Sequence, residues 1–136
     1  MNSNLESLYK IAQKPTRTII GLMSGTSLDG LDVALCEISG SGEETKVNLM
    51  QFNTVDYSDD IKLEMRSVFA KQTIDFQKLV LLNELIGALH ADMILECLTR
   101  WDISPEKVDL IASHGQTVFH APKILHQQEK FPNATL

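Results

Sequence analysis

The chain is poor in the residues that mark several large protein classes. It has only two cysteines in 136 residues, Cys36 and Cys97, far apart and each inside an apolar segment. That spacing offers neither a disulfide framework nor a thiolate metal site, so both read as reduced core thiols. Lys and Arg number 12 against 18 Asp and Glu, giving a net charge of −6 with no basic cluster anywhere. Nucleic acid and membrane surfaces are therefore not expected as partners. No stretch approaches the roughly 18 apolar residues that a membrane span needs. The first 17 residues carry Glu6 and lack a continuous apolar core, which argues against a signal peptide. A cytoplasmic location is the expectation by default. Also missing are the helix-opening phosphate loop that ends in Gly-Lys-Ser/Thr, the Gly-x-Gly-x-x-Gly dinucleotide loop, internal repeats and low-complexity tracts.

What is present suits one soluble α/β unit. At 136 residues the chain fits one domain and can bury roughly two thirds of its unfolded surface, and 43% hydrophobic with 22% charged residues is ordinary for a globular protein. Leu5, Leu8, Ile11 and Ala12 have helical spacing, so residues 3 to 14 form an amphipathic helix ahead of Pro15. Thr18 to Met23 reads as a fully buried strand, Leu31 to Ile38 as a second, and Val47 to Tyr57 as a third, with a Gly/Ser turn from Ser39 to Glu44. Short connections make these three an antiparallel meander. Ser58 is a helix N-cap followed by Asp59 and Asp60, and Ile61, Met65, Val68 and Phe69 give that helix its apolar stripe. A long helix runs from Asp75 to Arg100, with Phe76, Leu79, Leu82, Leu85, Ile86, Leu89, Met93 and Cys97 at helical spacing. His90 on this helix reads as a partly exposed surface residue. Val108 to Ala112 is a further buried strand, able to enter the sheet parallel, and Ala121 to Leu136 is loop-like. The tail shows no closing element beyond a strand that could begin at Thr135, so a truncated unit is expected.

Two polar stretches carry chemistry. In Gly21-Leu22-Met23-Ser24-Gly25-Thr26-Ser27-Leu28-Asp29-Gly30-Leu31-Asp32 an apolar run breaks into a small, hydroxyl-rich turn and a second apolar run follows. A hairpin of this kind can lay backbone N–H groups against phosphate oxygens, glycine allowing both close approach and positive φ. Thr26 and Ser27 add donors, while Asp29 and Asp32 could hold the water shell of Mg²⁺. The same residues also make an ordinary polar hairpin turn, and composition does not separate the two readings. The second stretch, Ser113-His114-Gly115-Gln116-Thr117, sits where a buried strand gives way to a loop, the place where open α/β sheets bind ligands. His114, Gln116 and Thr117 suit a sugar or other polyol, and Gly115 lets the chain turn closely; a packed structural histidine is the competing reading. His114, His120 and His126 are spaced unlike any zinc ligand set. Ser24 is not in the Gly-x-Ser-x-Gly arrangement of a hydrolase nucleophile, and a hairpin follows it where a helix would be needed.

The stretch Ile20 to Asp32 closely resembles the opening signature of the anhydro-N-acetylmuramic acid kinases. Val108-Asp109-Leu110-Ile111-Ala112-Ser113-His114-Gly115-Gln116-Thr117-Val118-Phe119-His120-Ala121-Pro122 resembles the second segment of the same family. Two motifs in the right order and at the right separation are far more specific than either alone. The resemblance implies an actin-like ATPase (ribonuclease H-like) lobe of the kind shared with sugar kinases and heat-shock chaperones. In it, a three-strand antiparallel meander is followed by helices and a further parallel strand. Residues 1–16 would be an N-terminal extension and 17–136 the first part of an incomplete N-terminal lobe. Gly25, Thr26, Ser27, Leu28, Asp29, Gly30, Leu31 and Asp32 would cradle the phosphates of ATP. His114, Gly115, Gln116 and Thr117 would lie near the sugar, with Mg²⁺ held through water by Asp29 and Asp32. Many relatives in that superfamily carry an acidic residue two positions before the loop glycine, where this chain has Met23. The implied reaction is phosphorylation of 1,6-anhydro-N-acetylmuramic acid with hydrolytic ring opening, giving N-acetylmuramic acid 6-phosphate in cell-wall recycling. The catalytic base is expected beyond residue 136, so the chain alone should bind ATP weakly and leave the sugar unphosphorylated. The alternative is a non-catalytic nucleotide- or sugar-binding module of the same fold. Homodimerisation through an exposed apolar edge stays open.

Overall fold

The computed structural model describes residues 2–136. Nine extended residues, β1 (Thr16–Ser24), turn back through a short hairpin into β2 (Gly30–Ser39), which pairs antiparallel with β3 (Lys46–Asp56). Two helices follow, α2 (Asp59–Arg66) and α3 (Phe76–Arg100), and then β4 (Leu110–Gln116) returns alongside β1 in parallel. The strand order is β3-β2-β1-β4. The meander and the further parallel strand therefore stand as the hydrophobic patterning predicts.

Both helix starts follow from local chemistry. Ser58 Oγ accepts from the Ile61 N–H at 3.4 Å, and Asp75 Oδ1 accepts from the Lys78 N–H at 3.1 Å. Each caps a donor that the first helical turn cannot satisfy internally. The 25 residues of α3 span about 38 Å. Its inner face packs on one side of the sheet, where Ile20, Leu31, Val33 and Leu35 meet Met93, Ile94, Cys97 and Leu98 in a single core.

Several expectations change on the structure. β1 is not buried on both sides: only Ile20 and Ser24 are fully enclosed, because helices cover one face of the sheet. β4 is an edge strand, exposed along most of its length, and it runs on through Ser113, His114 and Gly115 to Gln116. Three of the four residues assigned to a loop near the sugar are thus in a strand. α2 stops at Arg66, so Val68 and Phe69 reach the core from the turn after it. Phe76 and Leu85 are exposed, since a helix this long outruns the core beneath it. Among the cysteines, Cys97 is enclosed and Cys36 half-buried.

The ends of the chain are lightly held. The helix α1 (Ser3–Ala12) forms as predicted but buries no residue, leaving Leu5, Leu8 and Tyr9 exposed. Beyond it, Lys14 pairs with Asp109, whose other carboxylate oxygen accepts from the Thr18 N–H at 2.9 Å. The segment expected as loop contains β5 (His120–Ala121), the short helix α4 (Lys123–His126) and β6 (Ala134–Thr135), with β5 and β6 antiparallel.

Candidate functional site

The two polar stretches meet at one end of the sheet, because β1 and β4 are parallel neighbours that finish side by side. The hairpin tip is a four-residue turn, Gly25 to Leu28, closed by the Leu28 N–H donating to the Gly25 carbonyl at 3.3 Å. Thr26 and Ser27 stand exposed at its tip. Among the described residues, none accepts a hydrogen bond from their backbone N–H groups. They are free to face an anion.

The hairpin does not use glycine as expected. Its left-handed residue is Leu28, at φ 58°, whose side chain is 2% exposed and plugs into the core. Gly25 needs no special φ, and a Cβ there would meet only Ser27 Oγ at 3.7 Å. Gly30 has a different role: an added Cβ would lie 2.4 Å from the Val55 carbonyl oxygen, so glycine lets β2 approach β3 closely. Leu31 is likewise a core residue, fully enclosed. Of the eight residues assigned to the phosphates, Leu28 and Leu31 turn their side chains into the core; the Leu28 N–H is already taken by the Gly25 carbonyl, and Leu31 lies between Ser24 and Val55 in the ladder.

Beneath the tip runs a buried polar chain that reading the sequence did not reveal. The Gln116 amide donates to the carbonyl oxygens of Gly25 at 3.3 Å and Thr117 at 3.2 Å, so its Oε1 faces Ser24 and accepts from the Ser24 hydroxyl. Ser24 Oγ, its own proton so engaged, accepts from the Tyr57 hydroxyl at 2.7 Å. Tyr57 Oη in turn accepts from His90 Nε2 at 2.7 Å. One direction of donation satisfies every member. Ser24, Tyr57 and His90 are all buried, and the Tyr57 and His90 rings stack at 6.0 Å with 12° between their planes.

His90 is therefore not the surface residue expected. It lies four residues after the half-buried Ile86 and four before the buried Ile94 on α3, and that spacing placed it on the inner face. Burial pushes its imidazole below the ordinary histidine value, which favours the neutral ring. Burial also raises the Tyr57 phenol, against a smaller opposing pull from its bond to Ser24. With Ser24 enclosed and bonded to Tyr57 and Gln116, the serine has no role as a hydrolase nucleophile paired with His114.

The four residues assigned to the sugar divide between two sides of the sheet. His114 is exposed, with its Nε2 3.3 Å from Met23 Sδ. Met23 pairs with Asp32 across the ladder, and Asp32 accepts from the Thr54 hydroxyl at 2.6 Å. His114, Met23, Asp32 and Thr54 thus form a row on the face opposite α3. Gly115, Gln116 and Thr117 instead line a cavity of about 240 Å³ between the end of β4 and α3. Gly115 takes φ +76°, the left-handed conformation glycine was expected to supply. Asp29 is exposed at the hairpin. His120 and His126 make separate local bonds, to Thr135 Oγ1 at 2.7 Å and to the Pro132 carbonyl at 3.3 Å.

The chain is an α/β protein with a mixed sheet whose two polar turns gather at the carboxyl ends of its parallel strands, the end at which open α/β sheets bind ligands. The profile of the anhydro-N-acetylmuramic acid kinase family matches residues 17–131, and the chain belongs to that family. It is 54% identical to an anhydro-N-acetylmuramic acid kinase of Pseudoalteromonas atlantica, over 100% of this chain and 34% of that protein. A kinase of the same name from Pseudoalteromonas translucida is 51% identical over the same shares. One from Caldanaerobacter subterraneus is 35% identical over 97% of this chain and 33% of that protein. The chain spans about a third of the length of these relatives.

Proposed function

We propose that these residues serve an ATP-dependent kinase acting on 1,6-anhydro-N-acetylmuramic acid, within a lobe of actin-like ATPase type covering residues 17–136. The family membership supports the reaction class. The strand order supports the lobe, since an antiparallel meander extended by a parallel strand next to β1 is what such a lobe requires. The observation that carries the reading is the clasp from Gln116 to Ser24 and Gly25, which fixes the hairpin beside the end of β4. A phosphate donor at one and a sugar acceptor at the other would be held as neighbours.

In the proposed reaction water attacks the anomeric carbon and the bond from that carbon to O6 breaks. The freed O6 attacks the γ-phosphorus, and ADP departs with the electrons of the broken phosphoanhydride bond. The products are N-acetylmuramic acid 6-phosphate and ADP. Residues of this chain would position and stabilise; the base that activates water is assigned to none of them. Thr26 and Ser27 would direct amides and hydroxyls at phosphate oxygens, with Gly25 allowing close approach. The unpaired N–H groups and hydroxyls of the tip suit an anion, and Asp29 and the Asp32 oxygen not bonded to Thr54 would each hold a water of a hydrated Mg²⁺. The ion would neutralise phosphate charge. His114 would meet the sugar from the open face and Gly115 to Thr117 from the cavity side. We place the enzyme in the cytoplasm; among the described residues no helix is long and apolar enough to cross a membrane.

The test is ATP turnover with 1,6-anhydro-N-acetylmuramic acid as acceptor, by these 136 residues and by a longer chain of the relatives' length that carries them. Turnover by the longer chain alone is the expected result. Absence of turnover in both, with nucleotide or sugar still bound, would leave a non-catalytic binding module. Within the longer chain Gly25→Val should abolish ATP binding without unfolding, because the site has room for the side chain in the absence of phosphate. His114→Ala should impair sugar use more than ATP use. Unchanged ATP affinity in the first variant would remove the hairpin from the phosphate site.

A further inference from the structure

The cavity between α3 and the end of β4 has a composition that restricts its occupant. Apolar side chains such as Leu28, Leu82 and Ile86 form most of its wall. Its polar groups are neutral amides and hydroxyls together with His90, and no Lys, Arg, Asp or Glu lines it. Burying a charge without a partner is costly, so neither a phosphate nor the lactyl carboxylate of a muramic acid belongs there. A neutral group with both an apolar end and an amide edge does.

Gly87 restricts the occupant in a separate way. It sits inside the 25-residue α3, facing this cavity, and an added Cβ would meet no atom within 4 Å. Among the described residues nothing demands glycine at this position. Alanine would fit and would favour the helix by about 1 kcal/mol. A bare backbone on an otherwise apolar wall leaves room for something from outside. One turn earlier Asn83 presents a donor and an acceptor at the cavity rim, free of protein partners among the described residues.

We infer that this cavity receives the acylamino group of the sugar, its methyl end against the apolar wall beside Gly87 and its amide edge read by Asn83. The assignment rests on the proposed kinase reading and makes Gly87 and Asn83 specificity-determining residues for that substrate. The hydroxyl-rich side of the sugar then faces the strand end, toward Gln116 and Thr117. The cavity is large enough for the acylamino group and one face of the ring.

Steady-state kinetics of the longer chain separate the outcomes. Gly87→Leu, which fills the mouth while favouring the helix, should raise the KM for 1,6-anhydro-N-acetylmuramic acid at least about tenfold and leave the KM for ATP unchanged. Gly87→Ala should raise the melting temperature and weaken sugar use to a smaller degree. As inhibitors, 1,6-anhydro-N-acetylglucosamine should bind more tightly than 1,6-anhydroglucose, and Asn83→Ala should erase that preference. An active wild type whose sugar KM is untouched by Gly87→Leu overturns the inference and spares the kinase reading. A rise in the ATP KM instead would assign the cavity to the nucleotide and overturn it equally. A wild-type protein of full length with no activity on the sugar overturns both.

Discussion

The hairpin tip and the end of β4 lie side by side and are clasped together, yet they are built on opposite principles. The hairpin gains its left-handed turn from Leu28, a residue that adopts positive φ only at a cost of about 1–3 kcal/mol, and recovers it by burying that side chain. The β4 end uses Gly115, which takes the same region freely and buries nothing. One loop is nailed to the core, while the other is held by the hydrogen bonds of Gln116. On the proposed reading, the turn that would face phosphate is the rigidly placed one, and the strand end that would face the sugar is the adjustable one.

The contrast between the two loops is greatest at Leu28. Leu28→Ala should destabilise the chain by about 2–5 kcal/mol, since it empties a core position and keeps the strained backbone. Leu28→Gly removes the same contacts but relieves the strain, so it should be milder by about 1 kcal/mol. That order inverts the usual rank of the two residues, and urea denaturation of the pair decides it. If Leu28→Ala is the more stable, strain plays no part in the hairpin. Gly30→Ala comes next, at about 1–3 kcal/mol, because its Cβ would have to push β2 away from the Val55 carbonyl. A loss well below that range would show that the ladder yields there.

The polar chain beneath both loops offers an intermediate effect. Tyr57→Phe keeps the ring and deletes the hydroxyl between Ser24 and His90, leaving both without that partner at a cost of about 1–3 kcal/mol. His90 also gives a dependence on pH. Its folded value lies below the ordinary 6.5, so the unfolded chain binds the proton first as pH falls. Its contribution is fully present above 6.5 and is lost as pH drops toward the lower folded value. Asp109 acts in a separate window: Lys14 and the Thr18 N–H hold its carboxyl below the ordinary 3.8, so its contribution fades only in stronger acid. His90→Gln should flatten the stability profile just below 6.5 and leave the acid limb intact. A profile unchanged by that substitution would mean that His90 is not the group responsible.

What was legible in the sequence was whatever depends on local pattern. β-Branched runs marked the strands, Ser58 and Asp75 marked the helix starts, and the short links between strands forced an antiparallel meander. Neighbour relations were not legible, because they depend on which face a residue presents and what lies across from it. Ser24 looked like one more turn hydroxyl and Tyr57 like the end of a strand, with no hint that they meet. His90 was nearer to being readable: counting by fours from Leu82 through Ile86 reaches it, then Ile94 and Leu98. A polar residue on an apolar stripe signals a buried partner. Strand alternation alone would leave His114 and Gln116 on one face; the register shift against β1 between Leu22 and Ser24, with Gly115 at φ +76°, turns Gln116 to the other, and no local pattern marks such a bulge.

The smallest effect lies at Gly115 and tests the adjustable loop directly. Gly115→Ala meets no atom within 4 Å, so its cost is the left-handed conformation alone, about 1 kcal/mol. Because the strand end is held by polar bonds and not by the core, it can relieve part of this strain by shifting. Any shift would move Gln116, which bonds Ser24 and Gly25, and so would reach the hairpin. The expected signature is a small loss of stability accompanied by amide chemical-shift changes at Gly25 and Thr26, read by heteronuclear NMR. A loss of the same size with no change at the hairpin would show that the clasp does not couple the two loops, and that each keeps its geometry alone.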